Sequence, residues 1–320
     1  MRIPPYVLFT VLVCLVCWTS CRQSSNAPVI GFLDFVEDAT LEQARQGFFD
    51  ALEANGFSEQ DSTLHVVYTN AQGDIPTLGQ ACDLLISKKV DLIAANTTLS
   101  TITAAQRTAI IPVCMMVAPR PDIAGLTDKS GRQPPNLFGV YETLEYIDTS
   151  VAIIKQLMPK AQRIGTIYNQ SEPQSRDAFS RLEVQCRVLG LELESLPVNN
   201  SSETQLVTAV LLARGVDVFF ALPDNVIFAS FETIVQSCDA AGVPVFTSEA
   251  GLVHRGAVAS FGADFYQWGF QAGIQAATFL KSKSLDLLTP EIVTVRHRVF
   301  NAQVALRYGI VVDSTFTSVE

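Results

Sequence analysis

The sequence contains none of the short motifs on which many catalytic sites depend. Its three histidines fall within or at the edge of strand-like segments, away from the loops that would follow strands. No Gly-x-Ser-x-Gly, His-Glu-x-x-His or P-loop pattern occurs, and no Gly-x-Gly-x-x-Gly pattern follows a predicted strand. These absences argue against an enzyme, although side chains distant in sequence can still assemble into a catalytic group in space.

Cysteine is scarce after the N-terminal apolar segment and Cys21, where only Cys82, Cys114, Cys186 and Cys238 remain. Their spacing contains no Cys-x-x-Cys pair and no histidine partner, so we predict no metal site and no cofactor. We expect these cysteines to be buried as small apolar side chains. A disulfide between Cys186 and Cys238 remains an alternative if the protein is exported.

Positive charge is also scarce. The chain has 22 Lys and Arg residues and 32 Asp and Glu residues, which gives a net charge of −10 and a pI near 4.8. No basic cluster is present, so we expect no nucleic-acid partner and no adhesion to anionic lipid. With 320 residues, 48% of them apolar, the chain is long enough for two cores of ordinary domain size.

The N-terminus has the pattern of an export signal. An apolar run of about 13 residues follows Arg2 and ends at Trp18, whereas a membrane-spanning helix needs about 20. Small residues then precede Cys21, which resembles the bacterial lipoprotein signal except that Trp18 stands where Leu is preferred. We predict a signal peptide over residues 1–20, lipidation of Cys21 and a tether over residues 21–27. An ordinary secretory signal and an uncleaved anchor are the alternatives.

Two parts of the chain repeat one pattern about 130 residues apart. The shared landmarks are Ile30-Gly31 and Ile164-Gly165, then Val90-Asp91 and Val216-Asp217, then strands led by Pro112 and Pro244. Alternating strands and helices with short connections predict parallel sheets covered by helices on both faces. We therefore predict an α/β fold of two doubly wound parallel-sheet lobes joined by about three crossings. Residues 28–138 and 263–290 would form lobe 1, and residues 139–262 and 291–320 would form lobe 2.

Hydroxyl, amide and carboxyl side chains are concentrated where the predicted strands end, which is where doubly wound sheets bind ligands. The candidate ligand-binding residues are Glu37, Thr97, Thr98, Asn169, Ser171, Glu172, Ser175, Asp224, Asn225 and Glu249. Free N–H groups at helix starts favour a carboxylate, and Asp224 can hold an ammonium group. The alternative role is helix capping, for which Ser, Thr, Asn and Asp are preferred without any ligand. Phe35, Tyr141 and Phe265 are candidates to pack on the ligand, with core packing as their alternative.

Six segments, at residues 35–41, 46–52, 70–74, 168–175, 223–225 and 255–262, occur together in a recognisable order. In these segments, which include Tyr-Asn-Gln-Ser-Glu-Pro-Gln-Ser and Pro-Asp-Asn, the chain resembles the ABC-transporter substrate-binding protein family that includes tryptophan- and tyrosine-binding members. The resemblance implies a periplasmic-binding-protein-like fold of type I and places residues 169–175 and 224–225 in the cleft. Relatives tend to have a Ser-Asp-Pro-like segment where this chain reads Val117–Pro121, which leaves the ligand open. Arg120 is either an extra anion contact there or a surface charge.

The resemblance implies a substrate-binding lipoprotein of an ABC importer rather than an enzyme. Such a protein captures a small solute, here an aromatic or another amino acid, between its lobes and delivers it to a membrane permease driven by a separate ATPase. We expect a monomer, lipid-anchored to the cell membrane and facing the periplasm or the cell exterior. The alternative is a sensor of the same fold that reports to a receptor or kinase.

Overall fold

The computed structural model describes residues 27–319 of the chain. The predicted signal peptide, the lipidation site Cys21 and residues 22–26 of the predicted tether lie outside the described residues. None of the helices within residues 27–319 combines the length and the apolar character needed to span a bilayer.

Strands and helices alternate along most of the chain. The strands are β1 (Val29–Asp34), β2 (His65–Asn70), β3 (Leu92–Asn96), β4 (Val113–Met116), β5 (Leu137–Tyr141), β6 (Arg163–Tyr168), β7 (Glu192–Pro197), β8 (Val218–Ala221), β9 (Val245–Thr247), β10 (Ala259–Ala263), β11 (Pro290–Ile292), β12 (Arg296–Asn301) and β13 (Thr317–Val319). The helices are α1 (Ala39–Ala54), α2 (Ile75–Ser87), α3 (Thr98–Arg107), α4 (Tyr146–Leu157), α5 (Pro173–Val188), α6 (Thr204–Leu212), α7 (Asn225–Ala229), α8 (Phe231–Ala241), α9 (Ala250–His254), α10 (Phe265–Ser282) and α11 (Ala302–Arg307).

Lobe 1 is built on a six-stranded sheet in the order β11-β5-β4-β3-β1-β2, and every pair in it is parallel. The chain moves outward from β1 to β2 and then back to β3, so right-handed crossovers place α1 on one face and α2 and α3 on the other. Strands β3 and β4 are buried along their whole length, as expected for a sheet covered on both faces.

Helices α1 and α10 pack against each other unusually closely on one face of this sheet. A Cβ added at Gly269 of α10 would overlap the carbonyl oxygen of Ala44, and one added at Gly47 of α1 would overlap that of Tyr266. Each glycine therefore lies where the backbone of the other helix leaves no room for a side chain.

Lobe 2 is built on a four-stranded parallel sheet in the order β7-β6-β8-β9. Its edge continues into the three-stranded sheet β10-β12-β13, because Val258 just before β10 donates to the Val245 carbonyl of β9 at 2.7 Å. In that smaller sheet β12 runs antiparallel to β10 and parallel to β13. Helices α4 and α5 pack together, as do α6 and α8.

The predicted α/β fold with two doubly wound parallel-sheet lobes is confirmed. The chain passes between the lobes three times, between β5 and α4, between β10 and α10, and between β11 and β12. The boundaries predicted after residues 138 and 290 are a few residues early, because they cut β5 and β11, whose strand pairing keeps both whole within the lobe 1 sheet. The remainder of the predicted division into lobes stays a prediction.

The four cysteines among the described residues are buried free thiols, so Cys186 and Cys238 form no disulfide in this structure. Burial raises the pKa of Cys82 to about 11 and the pKa values of Cys186 and Cys238 to about 12. These thiols therefore behave as small apolar side chains that are poorly reactive at neutral pH.

Candidate functional site

A cavity lies between the lobes, at the C-terminal ends of their central strands. Lobe 1 contributes the segments that follow β3 and β4 and the start of α10, whereas lobe 2 contributes those that follow β6, β8 and β9. The lining residues are Thr97, Thr98, Val117, Ala118, Pro119, Leu144, Tyr146, Gln174, Pro223, Asn225, Phe228, Glu249, Phe265 and Trp268. Most of this lining is apolar, with a few polar groups, as is typical of small-molecule sites.

Aromatic rings form one wall of the cavity and meet across the two lobes. Phe265 of lobe 1 packs edge to face on Phe228 of lobe 2, with centroids 6.1 Å apart, and on Trp268 at 5.7 Å. The indole N–H of Trp268 donates to the Val140 carbonyl at 2.8 Å, which fixes the ring orientation. Sequence reasoning identified Phe265 but missed Trp268, although its position one turn further along α10 places both on one face.

Replacing Phe265 with leucine is expected to weaken the binding of an aromatic ligand about tenfold, because edge-to-face contacts contribute about 0.5–1.5 kcal/mol beyond burial. Titration calorimetry measures the change. Phe270→Leu is the matched control, since Phe270 lies on the same helix but outside the cavity lining. Equal losses in the two variants would contradict a role for the Phe265 ring in the site.

Glu249 brings a carboxyl group into the cavity from the start of α9, and it is completely buried. The Tyr146 hydroxyl donates to its Oε1 at 2.7 Å, and the Ser248 hydroxyl donates to the same oxygen at 2.9 Å. Its Oε2 has no hydrogen-bond partner within residues 27–319. Burial raises the pKa of Glu249 to about 7, against the opposing effect of these two hydrogen bonds.

A second buried carboxyl group, that of Glu172, organises the adjoining loops of lobe 2. Its Oε2 accepts from the side chain of Asn225 at 2.8 Å and from Gln174, and its Oε1 accepts from Asn169 at 3.2 Å. Burial, together with the neighbouring Asp224, raises the pKa of Glu172. Gln174 is thereby oriented with its amide nitrogen on Glu172, while its Oε1 has no partner in the part of the chain that the structure describes.

Asp224 has a positioning role in this structure. Its Oδ1 caps α7 by accepting from the N–H groups of Val226 and Ile227 at 2.8 and 3.2 Å. Its Oδ2 accepts from the Ser175 hydroxyl at 2.5 Å and from the Asn169 N–H at 2.7 Å. Asp224 is fully buried and does not line the cavity, so its oxygens serve the protein's own donors. Its ligand contact stays a prediction.

On the lobe 1 side, the cavity is closed by the first residues of α3. Thr97 caps this helix with its hydroxyl oxygen, which accepts from the Ser100 N–H at 3.4 Å. Its φ of +107° is rarely adopted by a residue with a side chain, and such strain is concentrated at functional sites. The first turn of any helix has N–H groups without intrahelical acceptors, so α3 presents an anion-binding end toward the cavity.

The predicted site residues separate into groups with different surroundings. Thr97, Thr98, Asn225 and Glu249 line the cavity described above. Asn169, Ser171 and Glu172 instead line a second cleft next to it, and Asn225 lines both spaces. Ser175 and Asp224 are buried behind both spaces.

Glu37 is exposed and lines neither space, so the structure does not bring it into the site. The chain turns after β1 so that Asp38, rather than Glu37, faces lobe 2.

Asp38 takes part in an ion pair that joins the lobes. Arg255 of lobe 2 contacts the Asp38 carboxylate and donates to the Thr40 hydroxyl of lobe 1 at 3.2 Å. Within its own lobe Arg255 also donates to Glu232 at 2.7 and 2.9 Å. Close to this pair, a Cβ added at Gly251 of α9 would overlap the Thr40 side chain. We call Asp38, Thr40, Gly251 and Arg255 the interlobe latch.

A second ion pair links two of the segments that cross between the lobes. Arg296 forms a two-pronged pair with the buried Glu142, at 2.9 and 2.8 Å. Glu142 follows β5 and Arg296 opens β12, so the pair ties the first crossing to the third. We call Glu142 and Arg296 the hinge pair, because both belong to crossing segments, whereas the residues of the interlobe latch do not.

Comparison with known proteins gives one consistent result. The family model described as ABC transporter substrate binding protein matches residues 29–318. A tyrosine-binding protein of Clostridioides difficile (strain R20291) is 32% identical over 256 residues, which cover 80% of this chain and 73% of that protein.

Among solved structures, a conserved domain protein of Vibrio cholerae is similar with a TM-score of 0.84 and 26% identity, covering 92% of this chain and 100% of the other. The ABC domain of Streptococcus pneumonia in complex with L-Trp has a TM-score of 0.81 and 26% identity, covering 90% and 96%. A ligand-free, open substrate-binding protein of Clostridium difficile has a TM-score of only 0.66 at 27% identity, covering 92% and 99%.

Proposed function

The chain belongs to the ABC transporter substrate-binding protein family, and from this membership we propose that it captures an aromatic amino acid between its lobes for delivery to a membrane permease. Proteins of this family bind small molecules and work with the other components of an ABC transporter. The chain is thus a solute-binding protein and not an enzyme.

The observation that carries the aromatic assignment is the ring-lined cavity between the lobes. The side chains of Tyr146, Phe228, Phe265 and Trp268 surround a space that also has a buried carboxyl group and a helix start. These features match the three parts of an aromatic amino acid, its ring, its ammonium group and its carboxylate. The L-Trp complex and the tyrosine-binding relative support the same ligand class.

The arrangement of the lobes supports a clamp that closes on the ligand. At nearly equal identity, this chain superposes better on the L-Trp complex than on the ligand-free, open relative. The contacts between Phe228 and Phe265 and within the interlobe latch also need the lobes to be close together. A ligand that bridges both lobes stabilises this state by its differential affinity for it.

Calorimetric titration of the purified chain, residues 22–320, with each of the twenty amino acids tests the proposed ligand class. We expect L-tryptophan or L-tyrosine to bind most tightly, and small-angle scattering to show a smaller radius of gyration for the complex than for the free protein. Tighter binding of an aliphatic or charged amino acid would contradict the aromatic assignment. No binding of any amino acid would contradict the proposed ligand class as a whole.

We propose further that Cys21 is lipidated and holds the protein on the outer face of the cell membrane. In cells fed a clickable palmitate analogue, the wild-type protein is expected to be labelled and to sediment with membranes. The Cys21→Ser variant is expected to lose the label and to appear in the soluble exported fraction. Cys82→Ser is the matched control, and loss of label in that variant would contradict lipidation at Cys21.

Delivery to a permease by a monomer completes the proposal, and the sensor alternative uses the same cavity. Uptake of a radiolabelled aromatic amino acid separates the two functions. Deletion of the gene is expected to abolish high-affinity uptake, and the full-length gene is expected to restore it. Unchanged uptake together with a lost transcriptional response to the amino acid would favour the sensor. Light scattering of the purified protein measures its molar mass and so tests whether it is a monomer.

A further inference from the structure

We propose that Glu249 and Gln174 of lobe 2 hold the ammonium group of the ligand, that the first turn of α3 in lobe 1 holds its carboxylate, and that binding expels a proton from Glu249. This inference rests on the proposed function and assigns a role to each end of the amino acid. It makes the ligand a bridge between the lobes whose capture is linked to pH.

Two buried acceptors in the cavity lack a donor. The Oε2 of Glu249 and the Oε1 of Gln174 have no partner in the described chain, and both residues line the cavity. A buried acceptor without a hydrogen bond costs about 1–3 kcal/mol. An ammonium group has three N–H donors and no acceptor, so it has enough donors for both oxygens.

The other buried carboxyl groups of lobe 2 are less suited to this role. Asp224 receives donors on both oxygens from the protein itself. Glu172 likewise receives donors on both oxygens, including Gln174. Of these three carboxyl groups, Glu249 is the one with an oxygen free to meet a ligand.

The carboxylate end of the ligand has to be held without a cation. No Lys, Arg or His occurs among the described residues that line the cavity. The start of α3, with Thr97 and Thr98 in the lining, supplies backbone N–H groups and the positive end of a helix dipole. This end belongs to lobe 1 and Glu249 belongs to lobe 2, so a zwitterion contacts both lobes.

The proton balance follows from the charges around Glu249. Tyr146 of α4 and Ser248 donate to its Oε1, and Glu142 of the first crossing is the charged group that raises its pKa further. Glu142 is itself paired with Arg296. While the lobes are together around an empty cavity, the carboxyl group is partly protonated at neutral pH, because burial raises its pKa to about 7. As the ammonium group arrives, the O–H bond breaks, the proton leaves for solvent, and the carboxylate remains as the counter-ion.

Ligand binding weakens as the pH falls. The ligand binds the ionised form, so the affinity of the state with the lobes together is full well above pH 7 and falls as the pH drops through about 7. At lower pH the loss approaches about tenfold per pH unit, because one proton must leave for each ligand bound. The ligand's own ammonium group keeps its charge over this range.

The test uses whichever of L-tryptophan and L-tyrosine binds more tightly. Two truncated analogues of that amino acid are compared with it: the amine, which lacks the carboxylate, and the propionate, which lacks the ammonium group. Calorimetry at pH 6.5 in buffers of different ionisation enthalpy counts the protons released. For the wild type we expect release of at least half a proton, and a loss of affinity of about 100-fold for the propionate analogue.

For Glu249→Gln we expect about 30-fold weaker binding of the amino acid, with no proton release and no pH dependence between pH 5.5 and 8. In this variant the propionate analogue should bind less than about tenfold more weakly than the amino acid. Glu37→Gln removes the same charge from an exposed site and should leave every value unchanged. Gln174→Met should weaken binding about tenfold while proton release persists, and thermal unfolding verifies that each variant is folded.

The outcomes separate this inference from the proposed function. Suppose that the wild type binds an aromatic amino acid and that Glu249→Gln binds it with the same affinity and the same proton release. This result would overturn the role of Glu249 but not the proposed function. If proton release disappeared in Glu172→Gln and persisted in Glu249→Gln, the released proton would come from Glu172. This result would also overturn the role of Glu249. Failure of the wild type to bind any amino acid would overturn both this inference and the proposed ligand class.

Discussion

Replacing Gly269 with valine is expected to prevent lobe 1 from folding to its native packing. A Cβ at this position would overlap the Ala44 carbonyl oxygen, which belongs to the backbone of α1 and cannot rotate away. The two helices would have to separate and expose the apolar face that they cover together, including Phe48 and Trp268. We expect a loss of more than about 4 kcal/mol in the free energy of unfolding, which only a few kinds of single substitution reach.

Gly56→Ala provides the matched control for this variant. Gly56 ends α1 with a φ of +90°, and nothing lies within 4 Å of an added Cβ. The only cost is the left-handed backbone conformation, about 1–2 kcal/mol. Urea unfolding followed by circular dichroism measures both variants. If the two variants lost equal stability, the close approach of α1 and α10 would not be a determinant of the fold.

Much of the fold could be predicted because the sequence repeats it. Gly31 and Gly165 open the two copies, and they occupy equivalent positions under a leucine side chain. A Cβ at Gly31 would crowd Leu85 of α2, and one at Gly165 would crowd Leu211 of α6. The repeated glycine therefore reflects a strand that a covering helix approaches closely in each lobe, a local feature that leaves a mark in the sequence.

The candidate site could be predicted only in part, because the same residue types cap helices and bind ligands. Asp224 and Glu249 both follow a strand and precede a helix, and from the sequence we expect Asp224 to be the carboxyl group that can hold an ammonium group. In the structure Asp224 caps α7, whereas Glu249 makes no side-chain cap and turns into the cavity. The difference depends on which donors surround each carboxyl group, and these come from residues distant in sequence.

The aromatic wall and the latch could not be predicted for a related reason. Phe228 and Phe265 have a contact only because the lobes meet, and Asp38 and Arg255 are 217 positions apart. No local periodicity or motif records a contact between two lobes. Only the closed arrangement of the lobes identifies these pairs.

Replacing Asp38 with asparagine is expected to weaken ligand binding about 30-fold while the stability of the free protein changes little. Asp38 uses Oδ1 to cap α1, through Thr40 and Leu41, and Oδ2 to meet Arg255. Asparagine caps a helix as well as aspartate does, so the cap is kept and the ion pair is lost. A hydrogen bond to a charged group contributes about 1.5–3 kcal/mol, and here that energy belongs to the closed state alone.

Ligand affinity changes more than the stability of the free protein because opening the lobes separates Asp38 from Arg255. The open state therefore loses no interaction in Asp38→Asn. Ligand binding has to supply the free energy of closure, and a less favourable closure appears as a weaker affinity. Glu232→Gln is the matched control: it changes a carboxylate to an amide on the same arginine, but Glu232 is 66% exposed and lies within lobe 2. We expect less than a twofold change in affinity for that variant, because exposed ion pairs contribute little.

Titration calorimetry gives the two affinities, and small-angle scattering over a ligand titration gives the fraction of closed molecules. Asp38→Asn should need about 30-fold more ligand to reach the same radius of gyration, since the shift acts on the closing equilibrium rather than on the cavity. Equal affinities for wild type and Asp38→Asn would show that the interlobe latch does not contribute to the closing equilibrium. The hinge pair and the contacts in the cavity would then be sufficient to hold the lobes together around the ligand.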